Sequence, residues 1–328
     1  MIFTGFNYSV AVDKNGKLYK SGDFFDDFQI DDELRVKKLI FVVGQADFVP
    51  FCNLRMVHYT DLNNRLWSIQ HPCRCHPEVW KPHCKAEVKK FQLLPDKEVI
   101  ELVSYNLKMF ACVTADRKLY LWGHFEDVIS TAISIDNPTY VETTTPVTHV
   151  ALGSRHMLVL DTDGNVHVAG QNYYGQIGLD ESTEEVIRLT KLRIGTDRTK
   201  ITQIACGDLS SAVLTSSGQI YVFGQLTGES AYFQPFQVQL ANVVEISLSY
   251  EHILARTKEN KVYAWGWNGS KQCGFNTRDP YDYFASIKKP RLIKDLSGYN
   301  VAKISAGKTH SLVKVIEYET TYTSSSKT

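Results

Sequence analysis

The sequence predicts an all-β chain closed into a seven-bladed β-propeller, with six blades as the alternative count. Three observations carry that expectation. A glycine-to-glycine distance of seventeen residues recurs along the chain. The anchors of successive copies fall about fifty residues apart, a period of propeller blades. Each full copy holds a turn signal followed by a strand of large apolar residues.

The copies run in order. Gly5 leads to Gly22 through Asn15-Gly16, with Tyr8 three residues after the anchor. Asn53 to Gln70 and Asn106 to Gly123 are poorer in glycine but keep Asn63-Asn64 and Asp116-Arg117 at the turn. The clearest copy, Val147 to Leu179, carries Gly153, His156, Gly164 and Gly170; the next, Ile201 to Gly224, carries Gly207, Ser210 and Gly218. Ser249 to Gly266 keeps the distance with His252 and Asn260, and Val301 to Val313 ends the series as a half copy with Gly307 and His310.

Each repeated position has a physical reading. Val147 and Val150, Ile201 and Ile204, Val243 and Ile246, Val301 and Ile304 mark a short strand entering each unit, apolar enough to pack between neighbouring sheets. The glycine that ends it admits a positive φ or a close backbone approach; a relaxed turn is expected where Ser or Asn replaces it. Asp163-Gly164 and Asn15-Gly16 read as two-residue type I′ hairpins, with Ser217-Gly218 and Asn63-Asn64 as weaker versions. Leu119-Tyr120-Leu121-Trp122, Ile220-Tyr221-Val222-Phe223, Val262-Tyr263-Ala264-Trp265 and the weaker Leu66-Trp67 supply large side chains for packing blade on blade.

Composition narrows the function classes. The 328 residues are 43% hydrophobic and 12% aromatic, enough for a core without disulfides. Thirty-six basic residues balance thirty-six acidic ones, so no global field draws the chain to nucleic acid or anionic lipid. Seven cysteines, an odd and scattered set with no secretory segment ahead of them, point to a reducing compartment, cytoplasm or nucleus. No apolar run approaches a membrane span, and the first copy begins too early for a transit peptide or a basic arm. One propeller over residues 1–316 and a polar tail over 317–328 are expected.

These repeats resemble the regulator of chromosome condensation repeat family. The resemblance lies in the A-G-x-x-H element, the D-G turn, the aromatic-Gly ending and Asn172-Tyr173-Tyr174-Gly175-Gln176-Ile177-Gly178, an N-x-x-G-Q-L-G-type segment. A looser copy of that segment runs from Trp265-Gly266-Trp267-Asn268 to Gln272-Cys273-Gly274. The resemblance is specific over about residues 147 to 313 and weaker before them. It implies a seven-bladed propeller whose N- and C-terminal strands close one blade. The second copy lacks the glycine and the aromatic-Gly pair, and loops at 23–46, 71–98 and 275–300 are long, as ligand-binding loops often are.

Residues able to carry chemistry are few. His156, His252 and His310 share one slot, and their recurrence reads as a structural histidine bonded to a backbone carbonyl near the turn. Cys73, Cys75, His76, His83 and Cys84 form the one dense Cys/His cluster; its C-x-C spacing is tighter than the usual zinc pair, so zinc is the minority reading. The acidic run from Asp23 to Glu33 and the basic run Arg35 to Lys38 read first as a solvated linker and second as a dock for a basic partner. The hydroxyl-rich segment Glu319 to Thr328 reads as a polar tail. No phosphate loop, nucleophile elbow or metalloprotease motif occurs in a suitable context, and no catalytic, cofactor-binding or metal-ligating residue is assigned.

The leading functional expectation is a non-catalytic protein-protein interaction scaffold, a subunit or adaptor of a larger assembly. The resemblance implies a rival, guanine-nucleotide exchange on a small GTPase, because the founding family member acts on Ran. A zinc-stabilised binding module using the Cys/His cluster is the third. Expected partners are one or more proteins, a small GTPase among the candidates, with no strong nucleic-acid signal, no membrane span and a monomeric chain within a hetero-complex.

Overall fold

The computed structural model describes residues 2–4, 9–12, 18–21, 38–42, 55–61, 63–71, 89–105, 109–196, 198–226, 231–276, 282 and 284–316, with side chains described from His58 onward except at 69–71, 89–91 and 104–105. Short strands of β-branched and aromatic residues, separated by turn formers, make antiparallel sheets in chain order. Blade 1 holds β1 (Ile2–Thr4), β2 (Ser9–Val12) and β3 (Leu18–Ser21). Blade 2 holds β4 (Lys38–Val42), β5 (Arg55–Thr60), β6 (Leu66–His71) and β7 (Lys89–Gln92). Blade 3 holds β8 (Val99–Tyr105), β9 (Met109–Thr114), β10 (Leu119–Gly123) and β11 (Thr139–Val141).

Blade 4 follows with β12 (Val147–Leu152), β13 (His156–Asp161), β14 (Val166–Gln171) and β15 (Glu185–Leu192). Blade 5 has β16 (Ile201–Cys206), β17 (Ser210–Thr215), β18 (Ile220–Gly224) and β19 (Tyr232–Gln237). Blade 6 has β20 (Val243–Ser249), β21 (His252–Thr257), β22 (Val262–Trp267) and β23 (Ser286–Leu292). Blade 7 has β24 (Asn300–Ala306) and β25 (Ser311–Ile316), preceded by a 3-10 turn at Lys294–Leu296. The first strands of blades 4 to 7 meet one another in sequence, β12 with β16, β16 with β20, β20 with β24, so they line the axis.

Closure of the ring takes the same form. β1 packs against β24 and β25, as β24 packs against β20 and β21. Among the described residues, the chain ends meet by this blade-to-blade packing, with β1 to β3 hydrogen-bonded as one sheet and β24 with β25 as another.

The core is a series of layers between sheets. Ala111, Val113, Leu119 and Leu121 of blade 3 bury against Val150, Leu152, Met157 and Val159 of blade 4. Leu158, Leu160 and Val168 of blade 4 meet Ile201, Val213 and Phe223 of blade 5. Further layers join blades 5 and 6 through Ala212, Ile253 and Trp265, and blades 6 and 7 through Leu254, Ala264 and Ile304. The second strands β9, β13 and β17 are buried along their whole length because both faces are covered.

The hairpins between second and third strands differ from the expected type I′ turn. At Asp161–Asn165, Gly164 N–H donates to the Asp161 carbonyl at 3.2 Å, Asp161 N–H donates to the Asn165 carbonyl, and only Gly164 has a positive φ, +77°. Three residues thus form the loop, and the third is left-handed. Asn64, Arg117, Gly218 and Asn260 take that place in four other blades, with φ from +61° to +80°. The carboxylate or hydroxyl at the strand end holds the loop: Asp161 Oδ1 accepts from Asp163 and Asn165 N–H, and Thr215 Oγ1 from Gln219 N–H. The pair Asn15-Gly16 lies outside the described residues.

One device was not anticipated. In β8, β12, β16, β20 and β24 the register slips near the start of the strand, between Val99 and Glu101, Val147 and His149, Ile201 and Gln203, Val243 and Glu245, Val301 and Lys303. Such a bulge re-aims the next side chain and frees a backbone N–H. The re-aimed side chain of one blade captures a freed N–H of the next: Glu101 accepts from Val150 at 2.9 Å, Gln203 from Ile246 at 2.9 Å, Glu245 from Ile304 at 3.5 Å. Gln203 also donates to the Val244 carbonyl, and Glu245, almost fully buried, pairs with Arg256 at 2.9 Å and Lys303 at 2.7 Å.

Candidate interaction face

The slot histidines lie at the seams between blades. His156 Nε2 sits 3.0 Å from Ser211 Oγ of blade 5, and Ser211 in turn donates to the Gln176 carbonyl at 2.8 Å. Because the serine proton goes to that carbonyl, the serine oxygen accepts from His156 Nε2–H, which places a ring proton on Nε2. His252, Ser311 and the Gln272 carbonyl repeat the relay at 2.9 and 2.8 Å. Burial lowers both histidines to about 4. The expected bond to a carbonyl is therefore made through a serine of the next blade. His156 also explains Gly153: its ring occupies the space a β-carbon would need, and Gly153 has no positive φ.

The segment from Asn172 to Gly178 is a loop clamp. Buried Asn172 donates through Nδ2 to the carbonyls of Leu179, Asp180 and Thr183 and accepts from Ile177 N–H, while Gln176 Oε1 accepts from Tyr174 N–H. Asn268 repeats this with the Phe275 carbonyl and Cys273 N–H, and Gln272 accepts from Ser270 N–H. The second copy departs from the first at Cys273, which replaces Ile177, and at Lys271, which takes a φ of +62° where the first copy has Gly175 at +77°. His58, outside the slot, accepts from Trp122 Nε1–H across blades 2 and 3 at 3.3 Å, and burial lowers it to about 4.

With those residues committed to the scaffold, the side chains left for chemistry gather on one face. The turns between first and second strands lie there beside the exits of the third strands, since Gln171, Gln225 and Trp267 N–H donate to the carbonyls of Arg155, Leu209 and Glu251. The turns are strung together around the axis: Ser154 Oγ donates to the Asp208 carbonyl at 2.8 Å, and Asp208 N–H to the Tyr250 carbonyl at 2.9 Å.

Blade 6 breaks the pattern. Ser249 replaces the anchor glycine, and the turn is not relaxed: Tyr250 carries a φ of +52°, rare for a bulky residue. A left-handed aromatic residue costs about 1–2 kcal/mol, and such strain concentrates at ligand-binding sites. The conformation sets the Tyr250 ring edge-on to Trp267 at 6.3 Å and under the Lys308 ammonium at 4.6 Å. Burial raises the Glu251 carboxyl, with Asp208 adding to the shift, and burial lowers the Lys308 ammonium against the pull of Asp208 and Glu251. Perturbed acid, perturbed base and strained aromatic thus share one half-buried surface at the axial mouth. Sequence reading missed it; its one signal was Tyr250-Glu251 where other copies have Ser154-Arg155 and Asp208-Leu209.

Cys73, Cys75, His76, His83, Cys84, the charged runs from Asp23 to Lys37 and the tail from Glu319 lie outside the described residues, while Lys38 opens β4. Among the described residues no group of three or more His, Cys, Asp or Glu could hold a metal ion, and Cys112, Cys206 and Cys273 are buried free thiols. Burial pushes the thiols of Cys206 and Cys273 up to about 12. Among the described residues no helix is long and apolar enough to cross a membrane.

Models of the regulator of chromosome condensation (RCC1) repeat match residues 147–176, 201–225, 243–272 and 259–313, the copies anchored at Gly153, Gly207, Ser249 and Gly307. Residues 147–313 carry RCC1 repeats. The RCC1 matches fall on blades 4 to 7, where the resemblance was expected to be specific. Among relatives, human E3 ubiquitin-protein ligase HERC2 is 28% identical over 178 residues, 51% of this chain and 4% of that protein. Protein pim1 of Schizosaccharomyces pombe is 29% identical over 153 residues, 42% of this chain and 27% of that protein. The chain therefore spans a minor part of these relatives' lengths.

Among solved structures, yeast RCC1 (Prp20) bound to Kap60 superposes with a TM-score of 0.72 at 16% identity, covering 98% of this chain and 80% of that one. Human WBSCR16 does so with 0.72 at 17% identity, covering 95% and 85%. At these identities the likeness shows the fold: an all-β RCC1-type propeller.

Proposed function

We propose that this RCC1-repeat propeller is a non-catalytic interaction module, a subunit or adaptor that holds a partner protein at the axial mouth formed by Asp208, Tyr250, Glu251, Trp267 and Lys308. The observation that carries the reading is the strained Tyr250, which keeps an aromatic ring and flanking charges presented to solvent. The recurrent histidines and asparagines, by contrast, are absorbed by the scaffold. Partners of this kind suit an intracellular chain, cytoplasmic or nuclear, whose propeller extends to residue 316 and whose polar tail follows.

A second reading, guanine-nucleotide exchange on a small GTPase, is favoured by the likeness to pim1 and to the Saccharomyces cerevisiae protein Prp20p, described with its binding properties to Gsp1p and histones. Affinity purification of the tagged chain with mass spectrometry, with and without magnesium chelation, separates the two. Partners unaffected by chelation and lost with Tyr250→Ala are expected. A GTPase captured only after chelation would replace the adaptor reading with the exchange factor, and no protein captured under either condition would refute both.

A further inference from the structure

A second surface stands apart from the axial mouth, on the outer rim where blades 4 and 5 join. β19 leaves its register there: Val222 and Gly224, two residues apart, pair with Phe236 and Tyr232, four apart, so Gln234 and Pro235 bulge from the strand. Proline is tolerated at such an edge. The bulge brings Tyr232 and Phe236 into a stack with ring centroids 4.6 Å apart, each 46% exposed.

The asparagine clamp of blade 4 completes the surface. A β-carbon on Gly175 would meet the Tyr232 carbonyl at 2.7 Å, so Tyr173 and Tyr174, 54% and 44% exposed, precede a residue laid directly on the start of β19. The loop is tied down again by Gln234, whose Nε2 donates to Asp180 Oδ1 at 2.7 Å. Four exposed aromatic rings thus share one junction. Isolated exposed aromatics are ordinary, whereas a contiguous group marks a binding surface.

The charge carried by the two segments that hold these rings has one sign. Residues 171–185 and 220–237 contain no lysine or arginine, although the chain as a whole is neutral. Asp180, Glu181, Glu184 and Glu185 are all exposed. Aromatic faces attract cations, and unpaired carboxylates at the rim attract them at longer range.

We propose that this rim docks a lysine- and arginine-rich segment of a partner protein, the rings of Tyr173, Tyr174, Tyr232 and Phe236 stacking on its cationic side chains and the carboxylates flanking them. The inference rests on the reading of the chain as an interaction module and supplies a partner chemistry for it. Nucleic acid is repelled by the same charges.

The probe is a fluorescein-labelled arginine-serine repeat peptide of about ten residues, compared with its glutamate-serine counterpart by anisotropy on the full chain at ~50 mM salt. Saturable binding of the arginine peptide alone is expected. It should weaken about tenfold in Tyr232→Ala with Phe236→Ala, and by a similar factor in Glu181→Lys with Glu184→Lys, whose side chains are exposed and leave the fold intact. Tyr250→Ala should leave it unchanged. Equal binding of both peptides, indifference to both double variants, or self-association in place of peptide binding would overturn the proposal. Cellular partners retained by the Tyr232→Ala, Phe236→Ala chain in the same circumstances would leave the interaction module standing and remove only this surface.

Discussion

Replacing Glu245 with alanine tests whether the axial latches hold neighbouring blades together. The carboxylate is nearly buried and serves three groups: Arg256, whose side chain is 23% exposed, Lys303, 54% exposed, and the Ile304 N–H of the next blade. The Lys303 pair contributes little because it is open to water. Breaking a fully buried pair costs about 3–5 kcal/mol, and Arg256 regains part of its hydration, so its share is about 2 kcal/mol. The orphaned Ile304 N–H adds about 1 kcal/mol, the low end for a bond of that length. A loss of about 3 kcal/mol is therefore expected, measured by urea unfolding followed through tryptophan fluorescence, with the slope unchanged. Glu245→Gln, which keeps an acceptor, should lose about half as much, and Glu245→Leu with Arg256→Leu should recover most of the loss. A loss below about 1 kcal/mol in the alanine variant would refute the latch, and a double variant as unstable as the single one would refute the ion-pair reasoning.

Three further outcomes follow from the same contacts. His58, His156 and His252 are held near 4 in the fold against 6.5 in the unfolded chain, so the unfolded state takes up protons that the folded state refuses. Stability is then complete above pH 6.5 and falls as pH drops toward 4, by about 2 kcal/mol per histidine at pH 5; unfolding at pH 7.5 and 5.0 measures it, and His156→Gln with His252→Gln should flatten the dependence. Asn172→Ala removes four hydrogen bonds from the blade 4 clamp, and a loss of about 2–3 kcal/mol with faster amide exchange across 172–184 is expected. Tyr250→Gly relieves a left-handed aromatic residue worth about 1–2 kcal/mol while losing its ring contacts, so stability should stay within about 1 kcal/mol of the parent even as partner capture is lost.

The strands, the anchors and the hairpin positions were readable in the chain because they are local: a strand of Val147-Thr148-His149-Val150 character and an Asp163-Gly164 turn need nothing beyond their neighbours. Even there the turn type was misread. Asp161 bonds Asp163 and Asn165 N–H across the loop, and that competition favours a three-residue loop with one left-handed residue over the two-residue turn.

What the sequence by itself determined was the repeat: a closed ring of antiparallel blades, the apolar layers between them, and a chain without global charge. What the tertiary structure alone decided was which polar groups meet. The partners His156 and Ser211 stand 55 residues apart, His252 and Ser311 59, Glu245 and Ile304 59. Each separation is about one repeat, so the pairing exists only when one blade is laid on the next. The axial mouth and the aromatic rim have the same origin, because Tyr250 meets Lys308, and Gly175 meets Tyr232, only across a seam between blades. Local propensity acts over a few residues, whereas these contacts are chosen by the rotation that carries each sheet onto its neighbour.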